Sequence, residues 1–436
     1  MKICFFTNTF LPHVGGVARS TQTFLEDYRR MRHRTLVVAP EFAEGSAPRR
    51  IERSVERVPA LQNFNGSDFS VRLPLGAALS DRLGKFKADI IHAHHPFLLG
   101  DTALRVGAER GVPVVFTHHT LYEQYTHYVP LDSPALKNFV SDLSTRFANC
   151  CSGVIAPSES IAELITARGV ERPIRVIPTG IDTKMFESGR RDRWRRHFNL
   201  RDDDVVIGHV GRLAPEKNLP FLADALARCL RRHENAHAMI VGDGPSRAEM
   251  DRIFGDARVL HRVHFLGQRT GRALHDAYAA MDGFAFASHS ETQGMVLAEA
   301  MAASNPVIAL DAPGVREVVR DNANGRLLHG DATPEACARA LSQLVRNHDA
   351  RQRWTAQARQ DAAAFDRKVS ARDALAFYEE MIAAHDHAPS DSFADRWARL
   401  VDRISIETQL VADKVGAAAG ALSHSFLGAP SSAATS

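Results

Sequence analysis

The sequence predicts an α/β protein whose two halves each contain a parallel sheet covered by helices. Short apolar runs alternate with helical patterns from end to end, and this alternation is typical of parallel sheets with helices on both faces. The strand pattern occurs twice, and a chain of 436 residues with 44% hydrophobic residues can bury more than one core. We therefore expect two domains of the same α/β class.

Each half contains six candidate strands, which are short apolar runs bounded by polar or turn residues. Those of the first half are Lys2 to Phe6, Thr35 to Ala39, Asp89 to His92, Val114 to Thr117, Gly153 to Ala156 and Ile174 to Ile177. Those of the second half are Val205 to Val210, Ala238 to Val241, Val263 to Leu266, Gly283 to Ala287, Pro306 to Leu310 and Gly325 to Leu328. Each set predicts one sheet.

A boundary between the halves is predicted after Pro178-Thr179-Gly180-Ile181-Asp182, because the charged stretch that follows lacks the apolar periodicity of its flanks. We expect a first domain over residues 1–182, a linker over 183–201 and a second domain over 202–365. A helix over 366–385 is expected to return to the first domain. Residues 386–436 are expected to form a tail with a disordered end.

Part of this tail, residues 392–412, has the spacing of an amphipathic helix, with Trp397, Leu400, Val401 and Ile404 on one face. Such a helix can pack on the body of the protein, or it can bind a partner or a membrane surface. The spacing alone leaves both roles open.

The charge balance gives no reason to expect a nucleic-acid partner, since 54 basic and 51 acidic residues leave a formal net charge of +3. Arginines nevertheless cluster in three runs, Arg29 to Arg34, Arg49 to Arg57 and Arg190 to Arg196. These runs form either solvated faces or contacts with an anionic surface such as lipid headgroups.

Cysteine usage and the N-terminus predict a cytoplasmic location. The five cysteines form no CxxC pair and no spacing typical of a disulfide framework or a zinc site, which fits a reducing compartment. The apolar run Ile3 to Phe6 is too short for a signal-peptide core. No run of about 18 apolar residues is present that could span a bilayer.

Two loops that follow predicted strands carry residues suited to phosphate. The loop after the first strand contains Gly15 and Gly16, where backbone N–H groups at a helix N-terminus can approach an anion, although a tight strand-to-helix turn explains the same pair. The second half opens with a loop from Gly211 to Asn218, in which Arg212 and Lys217 could both reach one diphosphate. A surface ion pair with a neighbouring glutamate is the alternative for these cations.

A third loop contains two carboxylates that bracket a predicted helix start near Gly294. Glu291 lies on the loop itself, whereas Glu299 lies more than one turn inside an otherwise apolar helix. A carboxylate in such a place needs hydroxyl or other donors, and the hydroxyls of a ribose or a hexose supply them.

These loops occur together with Val241-Gly242-Asp243-Gly244-Pro245 and Phe265-Leu266-Gly267. In this order and at these intervals, the motifs resemble the retaining family 4 glycosyltransferases, from Met1 to about Tyr378. The resemblance implies the GT-B architecture, with two facing Rossmann-like domains, parallel sheets and an interdomain cleft. It also implies that the second domain binds a nucleotide sugar and that the first domain binds the acceptor.

Residue by residue, the resemblance implies roles at the donor site. Arg212 and Lys217 would hold the diphosphate and stabilise its departure. Glu299 would bind the ribose hydroxyls, and Glu291 would bind the donor hexose.

Further positions are implied by the same motifs. Gly294 and Met295 would offer backbone amides to the sugar, and Gly16 would approach the phosphates from the opposite domain. His119, after the fourth strand, would lie close to the reacting centre. Its neighbour His118 leaves this assignment ambiguous by one residue, and a histidine pair with a purely structural role is the alternative.

Within the family, the segments Phe116 to Tyr128, Ile177 to Asp182 and Glu291 to Gly294 most resemble bacterial 1,2-diacylglycerol 3-glucosyltransferases. This implies UDP-glucose as donor, a membrane lipid such as diacylglycerol as acceptor, and work at the inner face of the cytoplasmic membrane. Tyr122 and Tyr125 are the near-site candidates on the acceptor side. The arginine runs and the apolar side of Ala135 to Phe147 fit such a membrane contact.

Two positions depart from the family pattern. Arg32-His33-Arg34 stands where a Gly-His pair usually precedes the second strand, which we expect to alter only a loop. In the segment from Glu291 to Glu299, where two glutamates are separated by seven residues, the family commonly has a phenylalanine before the glycine. Gln293 stands at that position here. We expect that change to touch the donor pocket.

The resemblance implies a metal-independent mechanism without a cofactor. Asp202-Asp203-Asp204 has the DxD form, but it precedes a predicted strand and fits a turn better than a metal site. Retention implies that the acceptor hydroxyl attacks from the side of the leaving group. A phosphate oxygen would accept its proton, and His119 would orient the sugar.

Other functions remain open at this stage. A GDP-mannose- or UDP-sugar-dependent transferase for a soluble sugar or polyol would use the same second domain, and so would an epimerase. A pyridoxal-dependent phosphorylase is disfavoured, because no lysine occurs between Lys217 and Lys368 to form a Schiff base. A non-catalytic module that binds nucleotide or membrane is disfavoured by the presence of all the expected polar residues.

Overall fold

Two fully parallel sheets form the centres of the molecule. The computed structural model describes residues 1–12, 15–41, 52–61, 71–72, 77–124, 134–289 and 291–386. The first sheet has seven strands in the order β3-β2-β1-β6-β7-β8-β9. Its strands are β1 Lys2–Phe6, β2 Arg34–Pro40, β3 Val55–Val58, β6 Ile90–Ala93, β7 Val114–Thr117, β8 Gly153–Ala156 and β9 Ile174–Val176. A separate antiparallel pair joins β4 Ala60–Leu61 to β5 Val71–Arg72.

The second sheet has six strands in the order β12-β11-β10-β13-β14-β15. Its strands are β10 Val205–Val210, β11 Ala236–Val241, β12 Val263–Gly267, β13 Gly283–Phe286, β14 Val307–Leu310 and β15 Gly325–Leu328. Counted from its own first strand, this order is 3-2-1-4-5-6, the doubly wound order of nucleotide-binding folds. The prediction of two α/β domains with parallel sheets is therefore confirmed.

Helices connect the strands and cover both faces of each sheet. In the first half they are α1 Gly16–Arg30, α2 Ala77–Phe86, α3 Leu99–Arg110, α4 Pro134–Cys150 and α5 Glu159–Ala167. In the second half they are α6 Thr183–Glu187, α7 Arg191–His197, α8 Leu219–Arg232, α9 Arg247–Asp256, α10 Gly271–Ala280, α11 Met295–Ala302, α12 Pro334–Arg346, α13 His348–Asp361 and α14 Arg367–Asp386. None of these described helices is long and apolar enough to cross a membrane.

Each sheet is buried on both sides, which explains why its strands are apolar runs rather than alternating patterns. Along β10, for example, every residue from Val205 to Val210 is buried. Four apolar clusters result, two on the faces of the first sheet and two on the faces of the second.

The edge strand β3 and the short β4–β5 pair were not predicted. The sequence of β3 is Val-Glu-Arg-Val, and only its two valines are buried. The two valines point to opposite faces of the sheet, Val55 into one apolar cluster and Val58 into the other. The two charged residues between them hid this edge strand from a search for apolar runs.

The chain crosses between the domains twice, and the two crossings bind each other. The N–H of Ile181 donates to the carbonyl of Phe365 at 2.8 Å, and the N–H of Arg367 donates to the carbonyl of Ile181 at 2.9 Å. A Cβ on Gly180 would lie 2.2 Å from the Cα of Arg367, so only glycine permits this approach. The two crossings therefore form one close-packed junction.

The last described helix, α14, packs on the first domain. Its Phe377, Tyr378 and Met381 belong to the apolar cluster of Ile3, Phe5 and Tyr28. At its start, the buried Arg367 forms ion pairs with Asp27 and Glu26 of α1 at 2.7 and 3.0 Å. The possible amphipathic helix at 392–412 and the rest of the tail lie outside the described residues.

The stretch over 183–201, expected to be a linker, contains the helices α6 and α7. Phe186 and Trp194 bury their rings in the core of the second domain. Two isolated aromatic residues are too few to produce a visible period, which is why the sequence pattern missed this packing.

The arginines of the same stretch form ion pairs within the second domain. Arg191 and Arg195 pair with Asp282 at 2.6 and 3.2 Å, and Arg193 pairs with Asp276 at 3.0 Å. The third arginine run therefore binds the protein's own carboxylates.

Candidate active site between the two sheets

The carboxyl ends of the two sheets face each other, and the loops that leave them touch. Parallel sheets bind ligands at this end, next to the point where the strand order reverses. In the first domain the relevant loops follow β1, β6, β7, β8 and β9, and in the second they follow β10, β13 and β14. Hydrogen bonds join the two sets, among them one from Ser158 to the carbonyl of Thr292 at 2.7 Å and one from the N–H of Ser160 to Glu317 at 2.8 Å.

The predicted diphosphate-binding cations occupy the loop after β10. Arg212 is half exposed and lies 2.5 Å from Glu216, so the surface ion pair that was the alternative is formed in this structure. Lys217 is more buried, and its Nζ lies 2.5 Å from Oε1 of Glu291. The structure thus brings together Lys217 and Glu291, two residues that are 74 positions apart in the chain.

Glu299, the predicted ribose ligand, is buried on α11 and already has two partners. The hydroxyl of Tyr278 donates to its Oε2 at 2.8 Å, and Nη1 of Arg19 lies 2.5 Å from its Oε1. Burial raises the pKa of Glu299, while the charge of Arg19 and the hydrogen bond from Tyr278 act in the opposite direction. Because Arg19 belongs to α1, this ion pair bridges the two domains.

Arg19 was not among the sequence candidates, although one signal could have marked it. It lies in the first turn of α1, three residues after Gly16. A cation at a helix N-terminus is repelled by the positive end of the helix dipole. An arginine at this position is therefore expected to have an anionic partner.

The paired glycines themselves begin α1. Gly15 is the N-cap in extended conformation, and Gly16 is the first helical residue. A Cβ on Gly16 would meet no atom within 4 Å. Packing within the described chain therefore does not require glycine at this position.

The two adjacent histidines after β7 have different surroundings. His118 is buried and packs edge-on against Phe116 and Tyr122. His119 is partly exposed, and its Nε2 lies 2.8 Å from Nδ1 of His94, with the two rings stacked. Tyr122 is near His118, whereas Tyr125 lies outside the described residues.

His94 belongs to a buried polar network beneath His119 that sequence reasoning missed. The rings of His92 and His94 are 4.1 Å apart. His92 is hydrogen-bonded to Thr117 through Nε2 and to the hydroxyl of Tyr378 through Nδ1, each at 2.6 Å. The motif His92-Ala93-His94-His95 at the end of a strand was the available signal.

These histidines are uncharged near neutral pH. Burial lowers the pKa of His92 to about 3 and that of His118 to about 4. Burial also lowers the pKa values of His94 and His119 well below the ordinary range, and neighbouring histidines act in the same direction. A neutral imidazole can donate one hydrogen bond and accept another, which suits a group that orients a sugar hydroxyl.

The loop that carries Glu291 is bound to the first domain by its next two residues. The hydroxyl of Thr292 donates to the carbonyl of His119 at 2.9 Å. The side-chain amide of Gln293 accepts from the N–H of Thr179 at 2.6 Å and donates to the carbonyl of Thr179 at 2.7 Å. The side chain of Gln293 is therefore buried against the backbone of the other domain. The expectation that this position touches the donor pocket stays a prediction.

Helix α11 begins where the sequence pattern placed a helix start. Gly294 is its N-cap with φ of +68°, a left-handed conformation that favours glycine. Met295 is the first helical residue, so its N–H is among those without an acceptor inside the helix. This leaves backbone donors beside Glu291.

Among the described residues, no group of three or more histidine, cysteine, aspartate or glutamate side chains is arranged to hold a metal ion. Asp204 of the DxD-like sequence accepts hydrogen bonds from the backbone and the side chain of Arg201 in a turn before β10.

Two family models match the chain, and together they cover most of it. "Glycosyltransferase Family 4" matches residues 14–185, and "Glycosyl transferases group 1" matches residues 190–361. The first match contains every strand of the first sheet except β1, and the second match contains all six strands of the second sheet.

Similar proteins agree with this assignment. An alpha-monoglucosyldiacylglycerol synthase of Streptococcus pneumoniae is 29% identical over 339 residues, which is 76% of each chain. A GDP-mannose-dependent alpha-mannosyltransferase of Mycolicibacterium smegmatis is 31% identical over 390 residues, or 88% of this chain and 98% of that protein. The crystal structure of Anabaena HepE in complex with UDP-glucose is 25% identical, with a TM-score of 0.67 over 87% of this chain and 100% of that chain. The chain therefore belongs to family 4 of the glycosyltransferases and is an enzyme of the GT-B fold that takes its sugar from a nucleotide donor.

Proposed function

We propose that this enzyme transfers glucose from UDP-glucose to a hydroxyl of a membrane lipid such as diacylglycerol, with retention of the anomeric configuration. One observation carries the proposal: the loop of the Lys217–Glu291 pair is joined to the loop of His119, because the hydroxyl of Thr292 donates to the backbone carbonyl of His119. The synthase from Streptococcus pneumoniae supports the choice of glucose and of a diacylglycerol lipid.

In this proposal, the second domain supplies the positive charge that the reaction needs. The bond between the anomeric carbon and the diphosphate oxygen breaks, and Arg212 and Lys217 stabilise the charge that develops on the diphosphate. Both cations now contact carboxylates. The diphosphate must therefore replace or share these contacts when the donor binds.

Glu299 and Arg19 also change partners under this proposal. For Glu299 to bind the ribose hydroxyls, its ion pair with Arg19 must open or be shared. Arg19 would then be free to approach the phosphates beside Gly16. The buried hydroxyl of Tyr278 keeps one oxygen of Glu299 in place.

The acceptor hydroxyl forms the new bond to the anomeric carbon from the side of the leaving group, and a phosphate oxygen takes its proton. Neutral His119 orients the sugar, supported by His94. Of the two histidines, His119 is favoured because it is partly exposed, whereas His118 is enclosed by aromatic rings.

We propose that no metal ion or other cofactor takes part, because Arg212 and Lys217 supply positive charge to the diphosphate once it replaces or shares their carboxylate contacts. Transfer should therefore continue unchanged in the presence of EDTA. A loss of activity that added Mg²⁺ or Mn²⁺ restores would contradict this.

The lipid acceptor implies contact with the inner face of the cytoplasmic membrane. Helix α4 supports such a contact, because Phe139, Val140 and Leu143 are only partly buried. Arg30 of the first arginine run is largely exposed but pairs with Asp27. Sedimentation with anionic vesicles, compared with neutral vesicles, measures whether the protein binds lipid.

A second donor is favoured by a specific observation. The mannosyltransferase of Mycolicibacterium smegmatis matches more of this chain than the glucosyldiacylglycerol synthase does. GDP-mannose is therefore the alternative donor, with a lipid, a soluble sugar or a polyol as acceptor.

The deciding experiment incubates the purified protein with UDP-glucose, UDP-galactose or GDP-mannose, each with and without diacylglycerol in mixed micelles, and identifies products by mass. A glucosylated lipid formed only from UDP-glucose is the expected result. A mannosylated product would establish the alternative donor. Consumption of the donor without a glycolipid would direct the search to soluble acceptors, and no consumption of any donor would favour a non-catalytic module.

A further inference from the structure

The segment Glu291–Gly294 is attached to the first domain by both its side chains and its backbone. Thr292 donates through its hydroxyl to the carbonyl of His119 at 2.9 Å, and its own carbonyl accepts from the hydroxyl of Ser158 at 2.7 Å. The amide of Gln293 forms the two short hydrogen bonds with the backbone of Thr179 described above. Two consecutive residues thus bind three different loops of the opposite domain.

The bonds of Gln293 are strongly oriented. The side chain is 5% exposed, and its oxygen and nitrogen face the N–H and the carbonyl of one residue. Any substitution that removes one of these atoms leaves a buried backbone group without its partner, which costs more than an exposed hydrogen bond. Gln293 therefore has one preferred position, two residues from the carboxylate of Glu291.

Thr179 is itself firmly held, which makes it a suitable anchor. It lies between β9 and the junction of the two crossings, directly before Gly180. Its hydroxyl is 3.2 Å from that of Ser20 on α1, the helix that also carries Arg19. The loop of Glu291 is therefore attached next to the junction of the two crossings.

Thr292 makes the most direct connection. It is the neighbour of Glu291 in sequence, and its hydroxyl binds the backbone of His119, whose side chain is held by His94 at 2.8 Å. A displacement of the loop would change the separation between Glu291 and His119. Errors of about 1 Å in such a relation can cost about 10²-fold in rate.

We propose that Thr292 and Gln293 are positioning residues for glycosyl transfer. They hold the donor-site carboxylate of Glu291 at a fixed separation from His119 across the domain interface. This inference rests on the proposed function, because it assumes that Glu291 and His119 act on the same sugar. Neither residue needs to touch the substrate. Their loss should lower the rate of transfer more than the affinity for nucleotide, since Arg212 and Lys217 lie on another loop.

Matched variants test the proposal. Thr292→Val removes the hydroxyl at nearly constant volume, Thr292→Ser keeps it, and Gln293→Met removes both hydrogen bonds of the amide. We expect kcat to fall about 10- to 100-fold in Thr292→Val and Gln293→Met, with donor KM and UDP affinity by calorimetry within about 3-fold. Thr292→Ser should stay within about 3-fold of the unmodified enzyme.

A control variant separates positioning from simple loss of an interdomain contact. Glu317→Ala removes the bond to the N–H of Ser160, which also joins the two domains but does not involve the loop of Glu291. Its kcat should stay within about 3-fold of normal. Equal kcat values in Thr292→Val and Thr292→Ser, or an equal loss in Glu317→Ala, would overturn the proposal.

Hydrogen exchange gives a reading that needs no substrate. Peptides covering residues 177–182 should exchange faster in Gln293→Met, because the N–H of Thr179 loses its acceptor. Unchanged exchange there would overturn the inference even if transfer is impaired. If the unmodified protein transfers no sugar, the proposed function fails, whereas exchange still shows whether Gln293 holds the loop.

Discussion

The two domains share the same strand order around their first strands, yet they bring opposite kinds of side chain to their facing edges. The first domain presents His94 and His119 above a buried network of histidine, threonine and tyrosine, all uncharged near neutral pH. The second presents Arg212, Lys217 and Glu291 on loops that are partly open to solvent. The same architecture thus accommodates a neutral surface and a charged one.

The difference has a physical reason. Charged groups are costly to bury unless they are paired, so the cations and carboxylates of the second domain lie on loops and in ion pairs. Neutral imidazoles tolerate burial when they are hydrogen-bonded, and burial keeps them neutral. Each domain therefore offers the substrate a different electrostatic surface, and the variants below test the two surfaces separately.

The largest effect on turnover is expected from variants of the charged residues in the second domain. Lys217→Ala or Glu291→Ala should lower turnover by about 10²-fold or more with the fold retained, because charge stabilisation and positioning in the transition state are lost. Steady-state kinetics and circular dichroism measure the two properties. Arg228→Ala is the matched control, since Arg228 forms an exposed ion pair with Asp224 on α8. Near-normal turnover in a folded Lys217→Ala enzyme would contradict the site assignment.

Because of the buried neutral histidines of the first domain, the free energy of unfolding should depend on pH. The pKa values of His92 and His118 are lowered to about 3 and about 4, while a histidine in the unfolded chain has its ordinary pKa of about 6.5. The unfolded state therefore binds more protons between these values, and the free energy of unfolding falls as pH decreases from 6.5 towards 4. Each such histidine contributes about 1.4 kcal/mol per pH unit.

Denaturant unfolding at pH 7, 6 and 5 measures this slope. His118→Phe should reduce it by the contribution of one histidine, because a phenyl ring suits the aromatic surroundings of Phe116 and Tyr122. A slope that is the same in the variant, or stability that does not change below pH 6.5, would show that His118 is not buried in its neutral form.

The smallest effect is expected at the far end of the neutral network. Tyr378→Phe removes the hydroxyl that binds His92 and Tyr28, and we expect a loss of about 1 kcal/mol in the free energy of unfolding. Turnover should change by less than about 2-fold, because α14 packs behind the first sheet. A loss of activity above about 10-fold would mean that the buried network also controls the position of His119. Tyr378 would then contribute to catalysis and not only to stability.

Much of the fold was predictable because its signals are local. The apolar runs of β1, β7, β8, β10 and β15 give strands with the predicted bounds, and the other predicted strands differ by one or two residues at their ends. The glycine loops and the start of α11 also follow from short motifs. The packing of α6 and α7 did not, since Phe186 and Trp194 show their role only against the second domain.

Within the site, the sequence by itself determined which residue types follow which strands: the paired glycines, the cations Arg212 and Lys217, and the carboxylates Glu291 and Glu299. Only the tertiary structure decided their partners. The Arg19–Glu299 pair joins residues 280 positions apart, and Gln293 and Thr179 are separated by 114 positions. Such contacts depend on how the carboxyl ends of two sheets are set against each other, and no local propensity or periodicity carries that information. Chain order can therefore predict the chemistry of each loop, whereas the relation between the loops arises from the packing of the domains.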